Sequence, residues 1–148
     1  MRRLRQRLMQ RSRERRAVLR AARDGDVQAF LHVAQQSFVE LQGAWDRADL
    51  PAMGRFVTAP LLAELREQLE ARGPSPNRTE VLELHAQLLA LEEMHEAFVA
   101  SVEFSGVIRE QLGQSARPFR ELWLLAKPKA EPRLHDRGWQ LARVQSLS

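Results

Sequence analysis

The chain contains no cysteine and no tyrosine. Without thiols there can be no disulfide, no zinc–thiolate site and no thiol nucleophile. Without a phenol, no tyrosine can donate a proton at an active site. No run of about 18 apolar residues occurs, so no stretch is expected to cross a bilayer as a helix. The N-terminus also lacks the apolar core of a secretory signal. There is no glycine-rich phosphate loop and no nucleophile motif. The four histidines, His32, His85, His95 and His135, show no metal-ligand spacing, so no metal and no cofactor is expected. His85 falls opposite the apolar parity of its segment and reads as an exposed strand residue.

What is present is charge, unevenly placed. The formal net charge is +4 over 148 residues. Residues 1–23 hold ten arginines and one acid, Glu14, a balance of +9. Residues 24–148 hold 13 basic and 18 acidic side chains, a balance of −5. The basic character therefore belongs to an N-terminal arm and not to the remainder. Such asymmetry points to an anionic partner for the arm, either a membrane or nucleic acid. Glu14 and Asp24 break the acid-poor pattern of a mitochondrial presequence.

Residues 2–22 read as a helix, with Leu4, Leu8, Val18 and Leu19 at helical spacing. Arg11 and Arg15 interrupt that thin stripe, and two readings stay open. One is a solvated basic arm. The other is a helix lying on anionic lipid, its arginine stems snorkelling around the leucines. On the second reading Arg2, Arg3, Leu4, Arg5, Arg7, Leu8, Arg11, Arg15 and Leu19 meet the membrane.

The remaining length, 26–148, suits one domain with a core of its own. Asp24-Gly25-Asp26 reads as a break, with Asp26 as an N-cap. A helix is expected from about Val27 to Arg47, with Phe30, Val33, Ala34, Phe38, Leu41 and Trp45 on one side. Asp49 reads as the cap of a short helix with Pro51 in its first turn. Thr58 reads as the cap of a third helix, striped by Leu61, Leu62, Leu65 and Leu69 and ended by Gly73.

Beyond Pro74-Ser75-Pro76-Asn77 the period changes from helical to alternating. Leu82, Leu84, Ala86 and Leu88 are expected to share one strand face. Phe98, Ala100, Val102, Phe104 and Ile108 share the next; Phe119, Trp123 and Leu125 another; Trp139 and Leu141 the last. Short connectors at Glu92–His95, Gln111–Ala116 and Pro128–Arg137 imply an antiparallel meander. Helices followed by strands give an α+β class. The expected architecture is a curved four-stranded antiparallel sheet with the helices packed on its apolar face. If the sheet curls strongly, a cleft opens between the two layers.

Several strings in this order resemble the Tim44-like domain family. They are Phe38, Leu41, Gln42, Ala44, Trp45 and Asp46; Pro76-Asn77-Arg78-Thr79; Val99-Ala100-Ser101-Val102-Glu103-Phe104-Ser105-Gly106 into Ile108-Arg109-Glu110; Glu121-Leu122-Trp123-Leu124-Leu125; and Gly138-Trp139-Gln140-Leu141-Ala142. The match covers roughly residues 28–147, and its specificity lies in order and spacing, since no string is a catalytic signature.

The resemblance implies a cone similar to nuclear transport factor two (a cystatin-like shape) with a large hydrophobic pocket. It also implies a role in protein translocation or membrane-protein assembly. In the mitochondrial import subunit the domain associates with cardiolipin-rich membrane and helps to tether a chaperone. Bacterial relatives resemble membrane proteins whose apolar N-terminal segment precedes the domain. Here the reading is a peripheral short form, or a piece of a longer protein, at the cytoplasmic face of the bacterial inner membrane. The mitochondrial matrix side is the less favoured location.

The expected pocket lining is Phe38, Leu41, Trp45, Leu84, Phe98, Val102, Phe104, Glu121, Trp123 and Trp139. The expected partners are anionic lipid at the arm and a hydrophobic ligand or peptide in the pocket. A chaperone or translocase component is a further candidate, and nucleic acid is less favoured because no aromatic residue interleaves with the arm's arginines. A proton-shuttling isomerase on this cone needs a tyrosine and an acid at the pocket, and the tyrosine is missing. Asp46 is either a pocket acid or a local hydrogen-bond acceptor. Glu121 shares the parity of Phe119 and Trp123, and is either an inward carboxylate or the partner of Arg143 or Lys127. No catalytic residue is assigned, and the chain reads as a binding module.

Overall fold

The structure, a computed structural model, describes residues 24–74, 78–111, 113–129 and 138–147. Every residue assigned above to lipid contact, from Arg2 to Leu19, lies outside the described residues.

Helix α1 spans Asp24–Asp46. The break expected at 24–26 is absent: the chain is already helical at Asp24, and Asp26 lies inside the helix instead of capping it. Glycine costs a helix only about 1 kcal/mol. Burying Phe30 and Leu31 one turn later outweighs that penalty. Helix α2 is the short Leu50–Met53, and Asp49 caps it as expected, its Oδ1 accepting from the Ala52 amide at 3.1 Å. Helix α3 spans Ala59–Arg72; Thr58 occupies its N-cap position without a side-chain hydrogen bond. Gly73 closes α3 at φ 77°, its amide donating to the Leu69 carbonyl at 3.1 Å.

Four strands follow: β1 Glu80–Glu93, β2 Ala97–Arg109, β3 Arg117–Pro128 and β4 Gln140–Ser146. They form one antiparallel sheet in the order β1-β2-β3-β4, the meander expected from the sequence. One sheet face is covered by the helices. Phe30, Ala34, Phe38, Leu41 and Ala44 of α1 are buried against Ala100, Val102, Phe104, Trp123, Leu125 and Leu141. The alanines let the helix approach the sheet closely, and the large side chains fill the gaps between.

One expected strand face is wrong at its first residue. Alternation puts Leu82 with Leu84, Ala86 and Leu88, yet it is 50% exposed while Val81 packs on the core. The register explains this: Val81 pairs with Ile108 and Glu83 with Val107, so Leu82 is an extra residue in a bulge. A bulge shifts the alternation by one and turns the inserted side chain outward. A second bulge at Leu89, 42% exposed, hands the inward position on to Leu91, which pairs with Ala100.

The first bulge presses on β2. A Cβ added to Gly106 would collide with the Glu83 carbonyl oxygen and lie 2.7 Å from its carbon. Only glycine accommodates that approach.

Two tethers lock α1 to its neighbours. Asp46 accepts from the Thr79 amide at 2.7 Å and from the Thr79 hydroxyl at 3.1 Å, fixing the entry to β1. Arg72 donates to the Trp45 carbonyl at 2.8 Å and lies 5.2 Å over the Trp45 ring, joining the ends of α1 and α3.

Candidate functional site

The space between α1 and the sheet is not one hollow. Phe38 stands in the middle of the apolar stripe of α1. Its ring centroid lies 4.9 Å from Phe104, 5.1 Å from Trp123 and 5.6 Å from Phe119. Phe104 meets Trp123 edge to face at 4.8 Å. The register makes this cluster: Val102 pairs with Trp123, Phe104 with Glu121 and Gly106 with Phe119, so all three sheet aromatics point toward α1. Edge and offset contacts of this kind add about 0.5–1.5 kcal/mol per pair beyond area burial. Four aromatic rings therefore form a partition where a central pocket was expected.

Two open spaces remain, and Trp123 is the one ring of this cluster that lines them. The first space is a cavity of about 320 Å³ beneath the first half of α1. Its walls are Phe30, Val33, Ala34, Phe56, Trp123, Leu125, Trp139 and Leu141. Phe30 closes against Trp139 edge to face at 5.1 Å. Gln36, Ser37, Glu40 and Arg55 bring polar groups to the same cavity. The second space is a more open cleft of about 570 Å³ between α3 and β4, floored by Leu41, Trp45, Met53, Leu61, Leu65 and Trp123. Glu64, Glu121 and Arg143 border it. Trp123 faces both spaces.

The expected pocket residues divide accordingly. Trp123 and Trp139 line the cavity, whereas Leu41, Trp45, Glu121 and Trp123 line the cleft. Phe38, Val102 and Phe104 are fully packed in the core, because the partition occupies the volume they were expected to surround. Leu84 borders two shallow grooves beside α1. Phe98 packs at the margin of the core, with the Lys129 ammonium 5.8 Å from its ring.

The two candidate acids differ in what they hold. Asp46 is a structural acceptor for Thr79, thirty-three positions along the chain, and lines neither space. Glu121 points inward, as its parity implied, and its Oε2 accepts from the indole Nε1 of Trp123 at 3.0 Å. That bond fixes the indole that separates the two spaces. Lys127 continues the inward parity of Trp123 and Leu125, pairs with Phe98, and is 1% exposed. Among the described residues no group of three metal-binding side chains occurs.

The polar residues of the cavity were not singled out from the sequence. Ser37 and Glu40 flank the stripe of α1, where helical spacing could have marked them. Arg55 sits in the link between α2 and α3, which carries no periodic signal.

The comparison with known families supplies the remaining observation. The model of the Tim44-like domain matches residues 12–146. The chain belongs to the Tim44-like domain family. Membership places it among membrane-associated proteins with a general link to translocation. Among solved structures, a ketosteroid isomerase-like protein from Erwinia carotovora atroseptica is similar over 80% of this chain and 96% of that one. The identity is 17% and the TM-score 0.41, a likeness too slight to bear on activity. No curated protein is significantly similar to the chain. Among the described residues of this Tim44-like chain, no helix is long and apolar enough to cross a membrane; that statement leaves strands aside.

Proposed function

We propose that this Tim44-like chain is a non-enzymatic binding module that works at an anionic membrane surface in protein translocation or membrane-protein assembly. The arm, residues 1–25 with its arginines within 1–23, docks on acidic lipid. The cavity beneath α1 takes an apolar group, either an acyl chain or a hydrophobic peptide side chain. The setting we favour is the cytoplasmic face of the bacterial inner membrane, with a chaperone or translocase component as protein partner.

The observation that carries the reading is the cavity itself. Eight apolar residues wall about 320 Å³, with a few polar groups beside them. Sites for small ligands run from roughly 300 to 1,000 Å³ and share that composition. The arm's +9 balance supports the membrane half. Each basic residue near an anionic surface contributes about 1 kcal/mol at modest salt.

The test has two arms. Flotation with neutral and cardiolipin-containing vesicles should show binding to the second only. Equal binding to both would remove the electrostatic claim. Ala34→Phe, which fills the cavity from α1, should abolish binding of a fluorescent fatty acid while flotation persists. Unchanged fatty-acid binding would remove the cavity from the mechanism. The second reading, an RNA or ribosome partner, rests on the same arginines, and a gel shift with RNA at two salt concentrations separates it from lipid docking.

A further inference from the structure

The outer edge of β4 already carries the start of a fifth strand. Val57 forms an isolated parallel bridge with Leu141. The Leu141 amide donates to the Phe56 carbonyl at 2.7 Å, and the Thr58 amide donates to the Leu141 carbonyl at 2.9 Å. The chain then turns away at Thr58 into α3. Beyond Leu141, no backbone bond from another described element reaches Ala142–Gln145 on that side.

The register fixes which groups stand open. The Leu147 amide donates to the Arg120 carbonyl at 2.9 Å, so the backbone of residue 147 faces β3. Alternation then turns Gln145 and Arg143 toward β3 and Val144 outward. Leu141 also faces outward, three positions earlier, and the extra residue between them is Ala142, skipped where Leu124 pairs with Arg143 and Leu125 with Leu141. The Val144 amide and carbonyl are thus the next edge groups after those of Leu141. The Val144 side chain, opposite Trp123, is 43% exposed at the cleft.

The cleft between β4 and α3 runs beside this edge. Its floor is apolar, and it carries the carboxylates of Glu64 and Glu121 against the single cation Arg143. The opposite edge of the sheet is unlike it. β1 carries Glu80, Glu83, Glu92 and Glu93 and two bulges, devices that discourage strand addition.

We infer that the β4 edge and its adjoining cleft bind an extended peptide segment by strand addition. The peptide continues the parallel track that Val57 begins, exchanging backbone hydrogen bonds with Val144. Its apolar side chains settle alternately on the floor at Leu61 and Leu65, and a basic residue meets Glu64 and Glu121. Backbone pairing with pockets for alternate side chains is an established mode of peptide capture. The peptide titration uses neither vesicles nor fatty acid, so its outcome is distinguishable from those of the lipid tests, although Trp123 lines both the cleft and the cavity.

The probe is a fluorescent peptide of about ten residues alternating valine and threonine, with one central lysine, titrated into the full chain by anisotropy. Two perturbations address the backbone. Val144→Pro removes an outward amide and leaves the β3–β4 ladder intact, since proline is accepted on strand edges. N-methylation of the peptide at alternate residues blocks pairing without touching the protein. Each should weaken binding at least tenfold in one register, and the circular dichroism of Val144→Pro should match the parent. Glu64→Gln with Glu121→Gln should remove the preference for the lysine peptide over its norleucine counterpart. Binding that ignores both backbone perturbations, or no binding by the parent chain, overturns the inference. So does a concentration-dependent dimer that Val144→Pro abolishes, because the edge would then serve a second copy.

Discussion

Alanine at Gly106 and alanine at Gly25 should act in opposite directions, and the structure gives the size of each. At Gly106 the added Cβ would lie 2.7 Å from the Glu83 carbonyl carbon and 3.1 Å from the Leu84 Cα. Ordinary contact for such atoms begins near 3.4 Å, so β1 has to retreat by roughly 1 Å. Neighbouring strands sit only about 4.8 Å apart, and a retreat of that size spoils the adjacent ladder bonds. Overpacking of this kind costs about 1–3 kcal/mol. Each ladder bond lost adds about 1 kcal/mol. Gly106→Ala should therefore destabilise by roughly 2–4 kcal/mol. At Gly25 an added Cβ meets nothing within 4 Å and the residue is helical. Gly25→Ala should stabilise by about 0.5–1 kcal/mol through helix propensity and the unfolded chain. Urea unfolding followed by tryptophan fluorescence reads both shifts, with the slope unchanged if only stability moves. A Gly106→Ala chain within about 0.5 kcal/mol of the parent would refute the claim that the Leu82 bulge presses on β2.

Other substitutions probe the partition and the tethers. Phe38→Ala removes the ring that touches all three sheet aromatics and should cost about 3–5 kcal/mol in urea unfolding; a cost below about 1 kcal/mol would mean that the layers close over the gap. The same variant should admit a larger apolar fluorophore than the parent, since it opens volume behind Trp123, the ring that lines both spaces. Asp46→Ala strands the Thr79 amide and should cost about 1–3 kcal/mol, with faster amide exchange at the start of β1 as its local signature.

Much of the architecture was written in periodicity. A helical stripe from Phe30 to Trp45, a turn cluster at Pro74–Asn77 and an alternating second half suffice for helices on a meander. Asp49, Thr58 and Gly73 marked helix ends by local chemistry, and the structure places each at the terminus expected. The Leu82 and Leu89 bulges were not legible, because an inserted residue is defined by its partner strand and leaves no mark within β1. The continuity of α1 through Gly25 is not legible locally, because a helix breaker looks the same whether or not the next turn is buried. The site was harder still. Parity placed Glu121 and Trp123 on the inner face correctly. Whether inward aromatics surround a void or fill it depends on where their rings meet in space. Here Phe38 reaches Phe104, Phe119 and Trp123 together, and the hollow becomes two smaller ones.

The charge asymmetry makes the two halves of the proposed function separable by salt. Residues 24–148 carry −5 and gain nothing from approaching an acidic bilayer. On the proposed reading, electrostatic attachment therefore comes from the arm alone, opposed by the domain it carries. The Debye length falls from about 10 Å at 0.1 M salt to about 3 Å at 1 M, so the arm's contribution should fade across that range. Insertion of an acyl chain into the cavity does not fade, because burial of each methylene contributes about 0.8 kcal/mol whatever the ionic strength. Vesicle binding that persists at 1 M salt in the parent and vanishes in Ala34→Phe would thus report the cavity by itself. Binding that vanishes at 1 M salt in both would leave the arm as the sole membrane element, with the cavity reserved for a ligand that the bilayer does not supply.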